Sequence, residues 1–236
     1  MLQPKTYPEL VGKALVLEAE PFLTLAEDDN PWVEGLFLVT CVGVLLGAAH
    51  LIGGLLWTAS LPPATAVREA LLPSVQQLAA QIGVGGDPAQ VETTFRQFWG
   101  WGANFVGYQG GFARLFFALL EPIWLVMQWL FLALTTHVAA RWLGGKGTLV
   151  QTLGTSALAA APYVLGVLTI IPFVSVSSLL LAVWSLLIVY RAVEITHDLP
   201  WQRAAFAVMA APVALVVISF FVAAITSVLF ALGGGA

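Results

Sequence analysis

His50, His137, His197 and Glu121 are the side chains in this sequence best suited to hold a proton or a ligand within apolar surroundings. Their spacing gives no metal signature, because the chain contains neither His-Glu-x-x-His nor Cys-x-x-Cys. Gly154-Thr155-Ser156-Ala157 is similar to the turn that carries a nucleophilic serine, but Leu158 occupies the place of the second glycine that such a turn requires. A haem held between His50 and His137 fails on geometry. The two residues fall near opposite ends of their segments, roughly 20 Å apart along a membrane normal. The sequence therefore predicts no catalytic residue, no metal site and no cofactor, and so no enzyme.

Glu121 has two readings. As an intramembrane carboxylate it could be the proton or cation site of a transporter. As an interfacial residue it is protonated, snorkelling or paired, which is the simpler reading. His50 and Glu121 each lie about seven residues from the same end of their segments, roughly 10 Å deep. A buried carboxylate needs a partner or a proton, so the two are predicted to form an intramembrane polar pair. Small residues carry a different expectation: Gly43, Gly47, Ala157, Ala161, Ala207 and Ala211 are predicted to let helices approach closely.

The composition behind these residues is that of a membrane protein. Hydrophobic residues make up 59% of the 236 and charged residues 9%, against roughly 25% charged in soluble domains. A water-facing surface cannot be built from so few charges. The net charge of −4 comes largely from carboxylates before residue 35, which argues against nucleic acid as a partner. Residues 1–31 lack the basic segment, apolar core and cleavage site of a secretory signal, so the first span is expected to act as an uncleaved targeting signal. The single cysteine, Cys41, lies in an apolar run and reads as a packing residue.

Long apolar runs predict an all-α polytopic transmembrane bundle of about five helices. Leu10, Val11, Ala14, Leu15, Leu17 and Leu25 mix with carboxylates at helical spacing in the amino-terminal surface segment, residues 1–31, suggesting one short surface helix. Residues 32–59 form the first span. Residues 60–111 are polar enough to leave the bilayer as an amphipathic extracytoplasmic segment. Within it Leu71, Val75, Leu78, Ala79 and Ile82 mark one helix, and beyond a breaker at 83–88 Val91, Phe95, Phe98 and Trp99 mark a second. Residues 112–236 hold the other four spans, near 112–140, 149–171, 174–193 and 203–232. The charge-free run 147–190 would reach roughly 65 Å as helix and must cross twice, with Pro172 in the turn. Glu121-Pro122 is expected to interrupt the second span, and Pro212 to tilt or kink the last.

Basic residues set the predicted orientation. A cytoplasmic amino terminus puts Lys5, Lys13, Arg141, Lys146, Arg191 and Arg203 inside, against Arg68, Arg96 and Arg114 outside. The carboxyl terminus is then outside.

Three stretches resemble one family. RWLGGKGTLVQTLGTSALAAAPYVLGVLTIIP is similar to a glycine-rich loop followed by a span with an internal Ala-Pro and a proline turn. AVWSLLIVYRAVEITHDLPWQRAAFAVMAAP is similar to a Trp-containing span, a charged loop with His and an Ala-rich last span. ALVLEAEPFLTLAEDDNPWVEGLFLV is similar to the approach to a first span. All three resemble the Yip family of Ypt/Rab-interacting membrane proteins, especially its bacterial branch, which implies a place in the bacterial cytoplasmic membrane. In eukaryotes the family implies association with small GTPases through a longer amino-terminal region. That region has no counterpart here, so GTPase binding is not carried over. The expected function is a non-enzymatic accessory or scaffold subunit, or a membrane-organising factor, in contact with the bilayer and other integral membrane proteins. The alternative is a transporter or channel for a small solute or lipid.

Overall fold

A computed structural model describes residues 4–83, 87–105 and 112–233. Among them the chain forms a short 3₁₀ turn, Pro4–Thr6, and nine α-helices: α1 (Tyr7–Leu15), α2 (Glu20–Ala26), α3 (Pro31–Ala59), α4 (Ala64–Ile82), α5 (Pro88–Phe105), α6 (Phe112–Trp142), α7 (Leu149–Ser156), α8 (Ser178–His197) and α9 (Trp201–Gly233). A 3₁₀ helix, Ala157–Ile170, continues α7. Five of these segments are long and apolar enough to cross a bilayer: Pro31–Ala59, Arg114–Trp142, Leu149–Ile170, Ser178–His197 and Trp201–Val228. The chain is an all-α polytopic bundle.

Two compact units divide it. The first comprises Met1–Gly43, Pro122–Val164 and Ser177–Ala236. Its core holds Phe22, Leu25, Val39, Leu158, Ile188 and Val193, packed with Ala157, Ala161, Ala204 and Ala207. Lipid tails are as apolar as leucine, so these helices gain little from exchanging lipid for one another and depend on close van der Waals fit. Glycine and alanine supply that fit. A Cβ on Gly154 would stand 2.5 Å from the Pro31 Cβ and 2.8 Å from its carbonyl carbon.

The 14-residue 3₁₀ run is unusually long for its type. Pro162 lies inside it and has no N–H, so the carbonyl three residues earlier, that of Ala159, loses its regular donor. Ser185 of α8 replaces it, its hydroxyl donating to the Ala159 carbonyl at 2.8 Å. At the other end of this span Thr148 and Gln151 form a reciprocal cap of α7.

The second unit comprises Val44–Glu121 and Leu165–Val176. Here α4 and α5 pair as a hairpin in which no described side chain of α4 is buried. Arg96 lies 3.5 Å from Glu69 across the pair and 2.8 Å from Glu92 on its own helix. Leu71, Leu78, Ile82, Phe98 and Trp101 stay exposed. The predicted breaker at 83–88 and the end of the predicted polar segment at 106–111 lie partly outside the described residues.

Several boundaries differ from expectation. The amino-terminal segment forms two helices, because Leu17 takes a left-handed φ of 62° and breaks the helical run between them. Helix α6 continues through Glu121-Pro122 instead of stopping. Proline removes one hydrogen bond from an apolar helix whose other carbonyls have no alternative donor in lipid. The fourth span starts at Ser178, not 174, because residues 171–174 close a turn and Ser177 caps the helix, its hydroxyl accepting from Leu180 N–H. Glu34, at the start of the expected first span, sits in the first turn of α3 and is only 2% exposed. Glu34 is thus a second carboxylate, beside Glu121, within a helix long and apolar enough to span. The helix amino terminus favours a negative charge at Glu34, and the Tyr7 hydroxyl donates to it.

Candidate functional site

In the second unit, His50 on α3 and Glu121 on α6 face each other, with His50 Nδ1 3.6 Å from Glu121 Oε2. Both side chains are partly exposed, at 44% and 27%. Close helix approach makes the meeting possible. A Cβ on Gly47, one turn before His50, would lie 2.4 Å from the Ala118 carbonyl oxygen and 3.4 Å from the Glu121 Cβ.

One turn beyond His50, Gly53 and Gly54 open the same face. A Cβ on Gly53 would come within 2.0 Å of the Thr169 carbonyl oxygen, and one on Gly54 within 3.0 Å of Arg114 Nε. Arg114 reaches across to donate from Nη1 to the Thr58 hydroxyl at 2.7 Å. A cavity of about 360 Å³ lies against these residues, bounded by His50, Trp57, Arg114 and the turn Ile171 to Ser175. Phe173 in that turn holds a left-handed φ of 67°, a conformation that disfavours a side chain with a Cβ.

A second polar cluster lies in the first unit, and the spacing of its histidines in sequence does not announce it. The Thr152 hydroxyl donates to the Thr148 carbonyl at 2.9 Å, while His137 Nδ1 and His197 Nε2 both stand 2.9 Å from its oxygen. With the hydroxyl proton given to Thr148, both imidazoles must donate to the two remaining lone pairs. The tautomers are thereby fixed. The rings are 5.2 Å apart, and His197 is fully buried with no hydrogen bond at Nδ1. Gly145 covers that nitrogen, since a Cβ there would be 2.7 Å from it.

The surrounding loop is tied to the same helix end. Lys146 N–H donates to the His197 carbonyl at 3.1 Å, its ammonium pairs with Asp198 at 2.9 Å, and Thr155 meets Thr196 at 2.9 Å. The one available sequence signal was that His137 and His197 both fall near the end of the bundle assigned to the cytoplasm. Arg191 pairs with Glu194, by a contact of 2.5 Å along α8.

The small residues divide by unit. Gly43 would place a Cβ 2.5 Å from Pro122 Cα, and Ala157 lies beside Gly35, whose added Cβ would be 3.0 Å from that of Ala157. Ala157 and Ala161 are fully buried, as is Ala207, while Ala211 is 2% exposed. All four alanines are therefore consumed by packing within the first unit. A bulky residue at Gly43, Ala157 or Ala207 would test folding before it tested contact with a partner.

This is the architecture of a polytopic α-helical membrane protein whose polar groups gather at helix ends and seams. The family model described as the Yip1 domain matches residues 15–224, and the chain belongs to that family of multi-pass membrane proteins. No curated protein and no solved structure gives a significant match.

Proposed function

We infer that this integral membrane protein works without catalysis of its own, as an accessory or scaffold subunit or a membrane-organising factor packed against other membrane proteins. The last span carries the reading. Its packed seam ends at Ala211, and from residue 213 to residue 228 no described side chain of α9 is buried. Val216 is 69% exposed and Phe220 71%. Lipid can coat such a surface, but helices in a bilayer associate through van der Waals fit. This stretch offers aromatic side chains on a helix the first unit leaves uncovered.

The proposed orientation has the amino terminus in the cytoplasm of a bacterial cell and the α4–α5 hairpin and carboxyl terminus outside, supported by the distribution of basic residues. In a Cys41→Ser background, a cysteine at Gln90 should react with an impermeant thiol reagent in intact cells and one at Lys146 should not. Gly234, the matching carboxyl-terminal position, lies outside the described residues.

Stoichiometric association tests the functional reading. A partner should survive mild detergent purification, and Phe220→Ala with Val216→Trp should release it while the thermal melt stays unchanged. A second reading, a transporter or channel for a small solute or lipid, is favoured by the His50–Glu121 pair beside a cavity. A monomer that moves a solute in liposomes, and loses that activity in Glu121→Gln, would replace the first reading with this one.

A further inference from the structure

The geometry points to the cavity between α3, α6 and the 171–175 turn as a binding site for a phosphodiester, with the Arg114 guanidinium as its anchor. Neither the scaffold reading nor the transporter reading is needed for this.

Size and shape come first. About 360 Å³ falls within the range of small-ligand sites. The walls differ in character: Arg114, His50 and Ser175 are polar, whereas Trp57, Ile171 and Phe173 are apolar. An occupant with a charged group and an attached apolar or glycerol portion matches both.

Charge narrows the class. Arg114 stays protonated at every accessible pH, and its planar donors match phosphate oxygens. Arg114 is the permanently charged side chain of the described lining, while His50 is engaged with Glu121 at 3.6 Å. One positive charge suits a phosphodiester monoanion better than a dianionic phosphomonoester. A cation gains nothing from Arg114, and a zwitterion, whose own tethered cation is repelled there, gains less than a net anion.

Construction of the walls supports a formed site. Gly53 seats α3 on the Thr169 carbonyl, and Gly54 leaves the space in which Arg114 lies. The Thr58 hydroxyl accepts from Arg114 Nη1, which fixes the direction of the guanidinium. The left-handed Phe173 holds the turn that forms the rim. Unfavourable backbone conformations concentrate where a structure clamps a ligand.

A phosphodiester could come from an anionic phospholipid or from a soluble glycerophosphodiester. The full-length protein in nanodiscs of phosphatidylcholine containing phosphatidylglycerol distinguishes them. Bound lipid is counted by mass spectrometry after graded delipidation, and displacement by glycerophosphoglycerol is followed as the part of the tryptophan fluorescence change that Trp57→Phe removes. Preferential retention of phosphatidylglycerol assigns the lipid. Displacement by the soluble compound with no lipid preference assigns the free diester.

In either case Arg114→Gln should weaken binding by about tenfold or more, the loss of a charge-assisted pair. Val174→Asp supplies an independent variant at an exposed rim position that leaves Arg114 and Thr58 intact, and its carboxylate should weaken binding to a similar degree. Gly54→Ala, which displaces only the end of a flexible side chain, should have a smaller effect. Equal retention of phosphatidylcholine with no displacement would overturn the proposal. So would unchanged binding in Val174→Asp with its thermal melt preserved, or a preference for inorganic phosphate over both diesters.

Discussion

The two histidine-containing clusters of this protein differ in how they are enclosed. In the first unit, His137, Thr152 and His197 sit at 2.9 Å spacing, with His197 fully buried and the glycine loop closed over it. In the second unit, His50 and Glu121 are 3.6 Å apart, partly exposed and beside open volume. In the sealed cluster both rings are held by the Thr152 oxygen, and losing a buried partner costs about 1–3 kcal/mol; His197 Nδ1, covered by Gly145, has none among the described residues. A group beside a cavity can exchange partners. The first cluster therefore ties the 144–147 loop to the end of α8, while the second has room to rearrange.

The largest effect that could break this contrast is steric. Gly154→Leu in the first unit would drive a side chain into the backbone of Pro31, and should destabilise by about 3 kcal/mol. Thermal unfolding in detergent would show it as a large fall in midpoint or as loss of folded protein. A melt within a few degrees of the parent would mean that the first unit is much softer than its distances imply.

Next in size is a matched pair of polar substitutions. Thr152→Val keeps the volume but strips both imidazoles of their shared oxygen, with an expected loss of about 2 kcal/mol. Glu121→Gln should change stability by no more than about 0.5 kcal/mol, as for a partly exposed pair with room to rearrange. Equilibrium unfolding of the two variants under one detergent condition measures the difference. Equal losses would erase the distinction between a sealed cluster and an adaptable one.

How much of this could be read in the sequence follows from how far each signal reaches. The five spans are written in uninterrupted apolar runs, which need no knowledge of neighbours. Thr148 and Gln151 likewise announce the start of α7, because a capping box is local. Span ends were less legible: Ser177 caps α8 only because the turn at 171–174 closes before it, and Leu17 breaks the amino-terminal helix without glycine or proline. Equal depth in neighbouring spans was enough to suggest that His50 and Glu121 could meet. His137 and His197, 60 positions apart, also fall near one end of the bundle, but their contact passes through Thr152, which nothing in the sequence singles out. Glu34 was hidden for the reverse reason: Glu27 and Asp29 before it are exposed, whereas the contact with Tyr7, 27 positions earlier, lies beyond the reach of a local signal. The long 3₁₀ run had no local sign beyond Pro162, since the Ala159 carbonyl depends on Ser185 of another helix.

The smallest expected effect compares exposed ion pairs. In the first unit Glu9 pairs with Lys13, and in the second Glu69 pairs with Arg68 at 2.8 Å and with Arg96 at 3.5 Å. The hydrogen bond from Lys13, and then its charge, lowers the Glu9 pKa below 4.5; the Arg68 hydrogen bond, followed by the charge of Arg96, does the same for Glu69. A carboxylate with a depressed pKa contributes stability above its unfolded value and loses it as pH falls through the folded value. Acid should therefore remove both contributions below 4.5. Lys13 does not alter this sign: its pKa is raised, chiefly by hydrogen bonds to Glu20 and Glu9, and its own titration lies at alkaline pH. What differs is the remaining support. Helix α1 retains buried Leu10 and Ala14, and its last carbonyl, on Leu15, still accepts from the Trp184 indole at 3.0 Å. Helix α4 has no buried side chain. On shifting from neutral to about pH 3, amide exchange corrected for its intrinsic rate should rise in α4 and α5 and change little in α1. Equal acid lability would show that α1 is held mainly by surface charge, and the contrast between a packed first unit and a loosely held hairpin would fail at that helix.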